Sequence, residues 1–488
     1  MSGAVRAERV AFRYPQHSFG LRPTSLHLDG GEAVFVSGPS GSGKSTLARC
    51  LVGLIPHLYR GEYAGSVWLD GLNTMQTPVW RLAEQAGLVF QNPAAQMLAL
   101  TVEEEIIFGL ENLGLSRATI RERLDETLSR FGMERFRHRS PQTLSGGEKQ
   151  KLALAAIMAR NPPVLVLDEP LSMLDSSSAF DLVEHLADLA GQGVTIIVCE
   201  HRAEYLSRIG NLQTLGLNGT ATAELPQAAE HQPLPPNIHR AAFTLQVAGL
   251  TIQLGGRPIL HGLSFAAQGG QVIAVVGRNG VGKTTLMRAL AGLQSFSGDV
   301  SVDGQMPDLG LVFQNADLHL FNATVREEIL FRLPEPDMAR YSWLLEMLGL
   351  TAYENTPPLL LSEGEKKRVA LAAVLMRAPR HGVLLDEPAL GQDLQHKTRL
   401  MRTARMLAAA GLLVLMTTHD LTLAAQADRL LLLGPDGLVA DGTPDAVLAD
   451  EAPWARLGLV VPGWVRPKSA ASSDVSPAPM AVESAMQR

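Results

Sequence analysis

The chain has 488 residues, length enough for about three domains, and its 42 Lys+Arg against 49 Asp+Glu give a formal net charge of −7. That balance excludes the basic excess that marks nucleic-acid binders as a class, so any anionic partner would be met locally. Only two cysteines occur, Cys50 and Cys199, both inside apolar stretches, which excludes a disulfide framework and fits buried thiols in a reducing cytosol. No run reaches 18 apolar residues, and the opening MSGAVRAERV lacks the apolar core of a secretion signal, so neither a spanning helix nor an export leader is expected.

In chain order, the first strong element is the strand AVFVS. It is followed by a glycine-rich loop of Gly38, Pro39, Ser40, Gly41, Ser42, Gly43, Lys44, Ser45 and Thr46, and then by the helix-forming LARCLVGLI. Strand, G-x-x-x-x-G-K-[ST] and helix together form a phosphate-binding loop. Glycines leave room for backbone amides to surround phosphate oxygens, the lysine adds a cation, and the hydroxyl of Ser45 is a ligand for phosphate-bound Mg²⁺. The motif returns after VIAVV as Gly277, Arg278, Asn279, Gly280, Val281, Gly282, Lys283, Thr284 and Thr285, with Thr284 in the place of Ser45. Two nucleoside triphosphate sites are therefore expected.

The later landmarks repeat in the same order. Gln91 and Gln314 are followed by segments that read as purely helical, opening on Thr101-Val-Glu-Glu104 and Thr324-Val-Arg-Glu327; both fit capping boxes. Next come LSGGE, with Ser145, Gly146 and Gly147, and LSEGE, with Ser362 and Gly364, each opening a helix. A serine hydroxyl and glycine amides at a helix start form a second anion-binding device. VLVLDEP and GVLLDEP then supply Asp168-Glu169 and Asp386-Glu387. An aspartate at the end of a buried strand can hold Mg²⁺ through water, and the adjacent glutamate can orient or deprotonate an attacking water. Asp175 and Asp393 follow, and then the histidines His201 and His419, whose 218-residue separation equals that of Asp168 and Asp386. A whole domain has been duplicated.

The alternation of strand and helix in each half predicts an α/β fold: two tandem P-loop NTPase domains, each a mostly parallel sheet core with an inserted helical subdomain. The expected boundaries are residues 4–222 and 243–465, joined by a Pro/Ala/Gln-rich linker at 223–242 and followed by a disordered tail at 466–488.

P-loop, glutamine loop, LSxGE signature, DEP box and switch histidine, present twice, resemble the ATP-binding cassette ATPases over nearly the whole chain. The resemblance implies that the cassettes close head to tail, each ATP lying between one P-loop and the other cassette's signature. It further implies that Gln91 and Gln314 sense Mg²⁺ and the γ-phosphate, that Glu169 and Glu387 are the catalytic carboxylates, and that His201 and His419 contact the γ-phosphate. Tyr14 in FRYP matches the aromatic on which adenine stacks. Two positions depart from the pattern: Leu254 stands near the equivalent of Tyr14, and Glu363 replaces the glycine equivalent to Gly146, placing a carboxylate near the nucleotide's negative charge. Both sites are expected to hydrolyse ATP, at unequal rates.

The segments VFQNPAAQMLALTVEEEIIFGLENLGL and VFQNADLHLFNATVREEILF are similar to those of energy-coupling-factor importer ATPases, as are GLIPHLYRGEYAG and Glu200-His201-Arg202 for fused two-cassette members. This resemblance implies a place on the cytoplasmic face of the membrane, bound to a transmembrane coupling subunit and through it to a small substrate-binding membrane protein, with no nucleic-acid partner. The implied cargo is a vitamin or vitamin precursor, such as thiamine or hydroxymethylpyrimidine, or cobalt or nickel. Met97, Leu98, Leu320 and Phe321 are the candidates for the apolar groove that takes a coupling helix. The alternatives are a fused sugar-importer ATPase and a soluble tandem-cassette translation factor acting on ribosomes.

Overall fold

A computed structural model describes residues 4–15, 20–217 and 242–467. Most of the expected linker and tail therefore lies outside the described residues, as does the 218–222 end of the first domain. The apolar runs flanking each motif become strands buried on both faces, the pattern that a parallel sheet covered by helices requires. In the first half four such strands, Ala86–Val89, Val164–Asp168, Thr195–Cys199 and Ala33–Ser37, form in that order a five-stranded parallel sheet with the more exposed edge strand Leu212–Gly216. The second half repeats it with Leu309–Val312, Gly382–Asp386, Leu413–Thr417, Val272–Val276 and Arg429–Gly434, and adds an antiparallel edge, Gly437–Gly442. The registers pair Asp168 with Cys199 and Asp386 with Thr417, which brings each acidic residue to the carboxyl end of its sheet, where ligands of open α/β folds bind.

Each half also carries an antiparallel sheet that the sequence reading did not anticipate: Gly20–Leu28, Val5–Arg13, Glu62–Leu69 and Leu72–Asn73 in the first, and Arg257–Gln268, Thr244–Leu254 and Ser297–Ser301 in the second. Alternation such as Val5, Ala7 and Val10 buried between exposed neighbours is the mark of a half-solvated sheet. Its inner face packs on the P-loop helix of the same half.

The helical inserts are present as Val102–Glu111 and Arg117–Arg130, and as Val325–Leu330 and Met338–Met347. The Thr101 capping box is complete, with Glu104 N donating to Thr101 Oγ1 (3.3 Å) and Thr101 N to Glu104 Oε2 (3.0 Å). At Thr324 only the forward half forms, Glu327 N donating to Thr324 Oγ1 at 3.1 Å. The halves touch across their sheet ends, and the chain's last described residues cross the seam. Trp464 sets its ring 5.1 Å from Tyr205 and 6.0 Å from Phe180 of the first half.

Candidate active sites at the seam

Both P-loops are built alike. Gly43 and Gly282 take left-handed φ values of 98° and 106°, and a Cβ on Gly43 would stand 2.9 Å from the Gly20 carbonyl oxygen, so glycine is required there on both grounds. Lys44 Nζ donates to the carbonyls of Gly38 (2.9 Å) and Pro39 (3.2 Å), and Lys283 Nζ to those of Gly277 (2.8 Å) and Arg278 (3.2 Å). The lysines are folded back over their own loops and buried. Burial pushes the Lys44 ammonium down from its ordinary value, against the pull of Glu169 and Asp168.

Ser45 Oγ donates to Asp168 Oδ1 at 2.9 Å; Asp386 is bonded by Thr284 and, at 2.7 Å, by Thr417 Oγ1. Burial pushes Asp168 up to about 6 despite the Ser45 bond, and Asp386 up as well. A buried carboxylate beside a P-loop hydroxyl fits a hard divalent cation that takes most of its oxygens from phosphate and water. No cluster of three or more His, Cys, Asp or Glu suited to a metal occurs among the described residues.

Glu169 and Glu387 are non-glycine residues at φ 48° and 46°, a strained conformation that surrounding bonds must hold and that concentrates at functional sites. Glu169 N donates to the Cys199 carbonyl (2.8 Å) and Glu387 N to Thr417 Oγ1 (2.9 Å). The two side chains differ. Gln91 Nε2 donates to Glu169 Oε2 at 2.6 Å, while His201 Nε2 approaches Oε1 to 3.2 Å without hydrogen-bond alignment. Glu387 instead bonds His419 Nδ1 at 2.9 Å, with Lys283 Nζ at 3.9 Å. Burial pushes Glu387 up, but His419 and Lys283 outweigh it and hold the carboxyl at about 2.

The seam is reciprocal. Ser40 N donates to Asp393 Oδ2 of the second half at 2.7 Å; Asn279 N donates to Asp175 Oδ2 of the first at 3.3 Å, and Asn279 Nδ2 to the Met173 carbonyl at 3.1 Å. Each aspartate also caps a helix, Ser176–Gly191 through Ser178 N or Leu394–Ala409 through His396 N, both at 2.9 Å. A cleft of about 900 Å³, including its open mouth, is lined by Gly146 and Met173 of the first half with Lys283, Thr284, Gln314, Glu387 and His419 of the second. One signature glycine and the opposite P-loop thus share a wall. On the other side the link is indirect: Gly364 lies against His396, whose Nδ1 bonds Asp393 at 2.7 Å.

Several predicted residues have engagements the sequence did not disclose. Ser145 and Ser362 use their hydroxyls in capping boxes with Glu148 and Glu365, leaving helix amides as the free donors. The Tyr14 hydroxyl accepts from Arg49 Nη1 at 3.0 Å, and the half-buried ring stands edge-on to Phe12. Leu254 is 42 % exposed. Glu363 is drawn onto Lys366 Nζ (3.2 Å), which also holds Asp317 (2.9 Å), so its charge is partly neutralised. The groove candidates split: Met97 and Leu320 are core residues, whereas Leu98 and Phe321 are 75 % and 64 % exposed. Buried Glu105 and Glu328 fix both loops in one way, accepting from Leu98 N and Ala99 N, and from Phe321 N and Asn322 N. Sequence reasoning missed them because an acidic residue in a helix's first turn reads as a solvated one.

Also missed was the ionic wall behind the switch histidines. Arg202 is buried, donating to the Leu171 and Leu174 carbonyls, and attracts Asp420 of the other half, which Lys397 pairs at 2.7 Å. The only available signal was adjacency: Arg202 and Asp420 each follow a histidine.

Residues 21–172 and 260–390 both match the family model described as ABC transporter. The chain belongs to the ABC transporter family. It is 35 % identical to a provisionally named ABC transporter ATP-binding protein of Treponema denticola, covering 81 % of this chain and 88 % of that one. It is 32 % identical to YkoD of Bacillus subtilis, provisionally named an HMP/thiamine import ATP-binding protein, over 92 % of this chain and 93 % of that one. Among solved structures, the archaeal ribosome recycling factor aABCE1, in complex with the stalk protein aP1, superposes with a TM-score of 0.59 at 21 % identity over 87 % of each chain, a likeness of fold alone. The two halves are ATP-binding cassettes, and the chain is the ATP-hydrolysing component of an ABC transporter. Among the described residues, no helix is long and apolar enough to cross a membrane.

Proposed function

We propose that this chain is the energising subunit of an importer of the energy-coupling-factor type, docked on the cytoplasmic face of the membrane against a transmembrane coupling subunit. ATP hydrolysis at two composite sites would drive uptake of a vitamin, a vitamin precursor or a transition-metal ion. The observation that carries the composite-site reading is the reciprocal seam, Ser40 on Asp393 and Asn279 on Asp175. Import is supported by the glutamine-loop text, by the exposed Leu98 and Phe321 beside it, and by the name of the Bacillus subtilis relative.

In this reading residues 4–222 and 243–465 are the cassettes. The loops from Gly38 to Thr46 and from Gly277 to Thr285 cradle the phosphates, with Ser145, Gly146 and Gly147 facing the second loop and Ser362 and Gly364 the first. Ser45, Gln91 and Asp168, and Thr284, Gln314 and Asp386, would hold Mg²⁺, which when bound neutralises phosphate charge. Glu169 and Glu387 accept the proton of the water that attacks the γ-phosphorus as the bond to ADP breaks, and His201 and His419 steady the γ-phosphate. Tyr14 stacks on adenine in the first site.

The test is pull-down from solubilised membranes. A multi-spanning subunit and a small substrate-binding membrane protein should co-purify; recovery of ribosomes, or of membrane subunits that take up sugars, would overturn the reading.

A further inference from the structure

The second cassette contains a cleft of about 560 Å³, including its open mouth, between the signature helix Glu363–Met376 and the helix Leu394–Ala409 that Asp393 caps. Its walls are mostly apolar, among them Leu371, Leu385 and Leu400. Set into them are two guanidinium groups, Arg368 and Arg399. Arg368 is only 8 % exposed. Its Nε and Nη1, and Nη1 of Arg399, are buried without a hydrogen-bond partner among the described residues.

Buried donors are normally satisfied, and leaving one unpaired is costly, the more so when it is charged. Burial and the neighbouring Arg399 hold Arg368 below its ordinary value; burial and Arg402 act likewise on Arg399. The carboxylates within electrostatic reach are committed elsewhere. Glu365, which faces Arg368, closes the Ser362 capping box; Asp393, which faces Arg399, holds Ser40 N and His396. Tyr353 also faces Arg368, and its hydroxyl is bonded to Glu365. Lys367, on the same wall, spends its ammonium on the carbonyls of Glu387, Pro388 and Leu390. The first cassette has no such pair, since the positions equivalent to Arg368 and Arg399 are Lys151 and Asp181. Nothing in the fold common to both halves therefore requires two arginines here.

We propose that this cleft binds a small oxyanion, either free phosphate or a carboxylate carried on a compact apolar body, with Arg368 and Arg399 as its paired donors. Planar guanidinium forks match such groups geometrically, and the dry walls strengthen the attraction. Gly364 of the signature and Gln392 beside Asp393 line the same cleft, so a bound anion ties together the two parts of this cassette that address the opposite P-loop. The site is an effector site that adjoins the first nucleotide site through Gly364, does not include either P-loop, and is independent of what the transporter carries.

Equilibrium dialysis of the full chain tests this, with MgADP saturating both P-loops and radiolabelled inorganic phosphate or hexanoate as the probe in parallel arms. Wild type should retain about one probe per chain, with affinity reduced about tenfold or more in Arg368→Gln and in Arg399→Asp, which installs the first cassette's residue. Stronger retention of hexanoate identifies an organic acid as the occupant, and stronger retention of phosphate identifies free phosphate. No retention by wild type would overturn the proposal. So would equal retention by both variants, which would place the probe at the P-loops. Should an arginine variant fail to bind MgADP as a folded chain does, Leu400→Trp, which fills the cleft and keeps both arginines, decides: lost retention supports the site and unchanged retention refutes it.

Discussion

Replacing Asp393 by alanine removes a helix cap and a seam bond at once, along with the side-chain bond to His396 Nδ1. Oδ1 caps the helix Leu394–Ala409 through His396 N, a contribution of about 0.5–2 kcal/mol. Oδ2 accepts from Ser40 N across the seam at 2.7 Å, a charge-assisted bond of about 1.5–3 kcal/mol. Together the loss should be about 2–5 kcal/mol, and Asp393→Asn, which keeps a cap acceptor but not the charge, should cost about half of it. Asp175→Ala loses the same kind of cap but a longer seam bond, 3.3 Å to Asn279 N, so it should cost about 1 kcal/mol less. Urea unfolding followed by tryptophan fluorescence gives the three values, and steady-state ATPase shows whether the Lys44 site fails with the seam. If Asp393→Ala costs no more than about 0.5 kcal/mol, or lowers stability while leaving turnover untouched, the seam contact is incidental and the reasoning fails.

Three further outcomes are expected. Glu169→Gln and Glu387→Gln should each lower turnover, by unequal amounts, and the double variant by about 10²–10⁴-fold; a single variant that leaves turnover unchanged would show that only one site works. Glu387 is held at about 2 against its ordinary 4.5. Below pH about 4.5 the unfolded chain therefore takes up a proton that the folded one refuses, and stability of about 3 kcal/mol, fully present above that pH, is lost as pH falls through about 2. His419→Ala should flatten this slope in urea midpoints measured against pH, and an unchanged slope would clear His419 of holding the carboxyl. Leu98→Glu with Phe321→Glu should abolish co-purification with membrane subunits while MgATP binding, read by fluorescence titration, stays within about twofold.

Much of the site was legible because its chemistry is local in sequence. A P-loop needs glycine at fixed steps, and the DEP box needs a carboxylate at the end of a buried strand; both follow from short stretches of text. What stayed hidden depends on approach in space. The antiparallel sheets were missed because Val5–Arg13 and Gly20–Leu28 carry bulges, at Ala7/Val10 and Val10/Phe12, that break the period-2 pattern. Met97 and Leu98 are equally apolar on paper, yet one enters the core and the other faces solvent, since strand-like backbone around the Glu105 clamp sends neighbours to opposite sides. Glu363 is met by Lys366 three residues on in the same helix, a pairing the sequence could have offered; only the competing contact of Lys366 with Asp317, 49 residues away, needed the fold. Arg368 and Arg399 likewise meet only when two helices pack.

The most direct measurement is the structure of the Glu169→Gln/Glu387→Gln protein with MgATP trapped in both sites. The account expects the nucleotide on Lys44 to be met by Ser362 and Gly364, and the nucleotide on Lys283 by Ser145 and Gly147. Either signature turned away from the other cassette's nucleotide would contradict it.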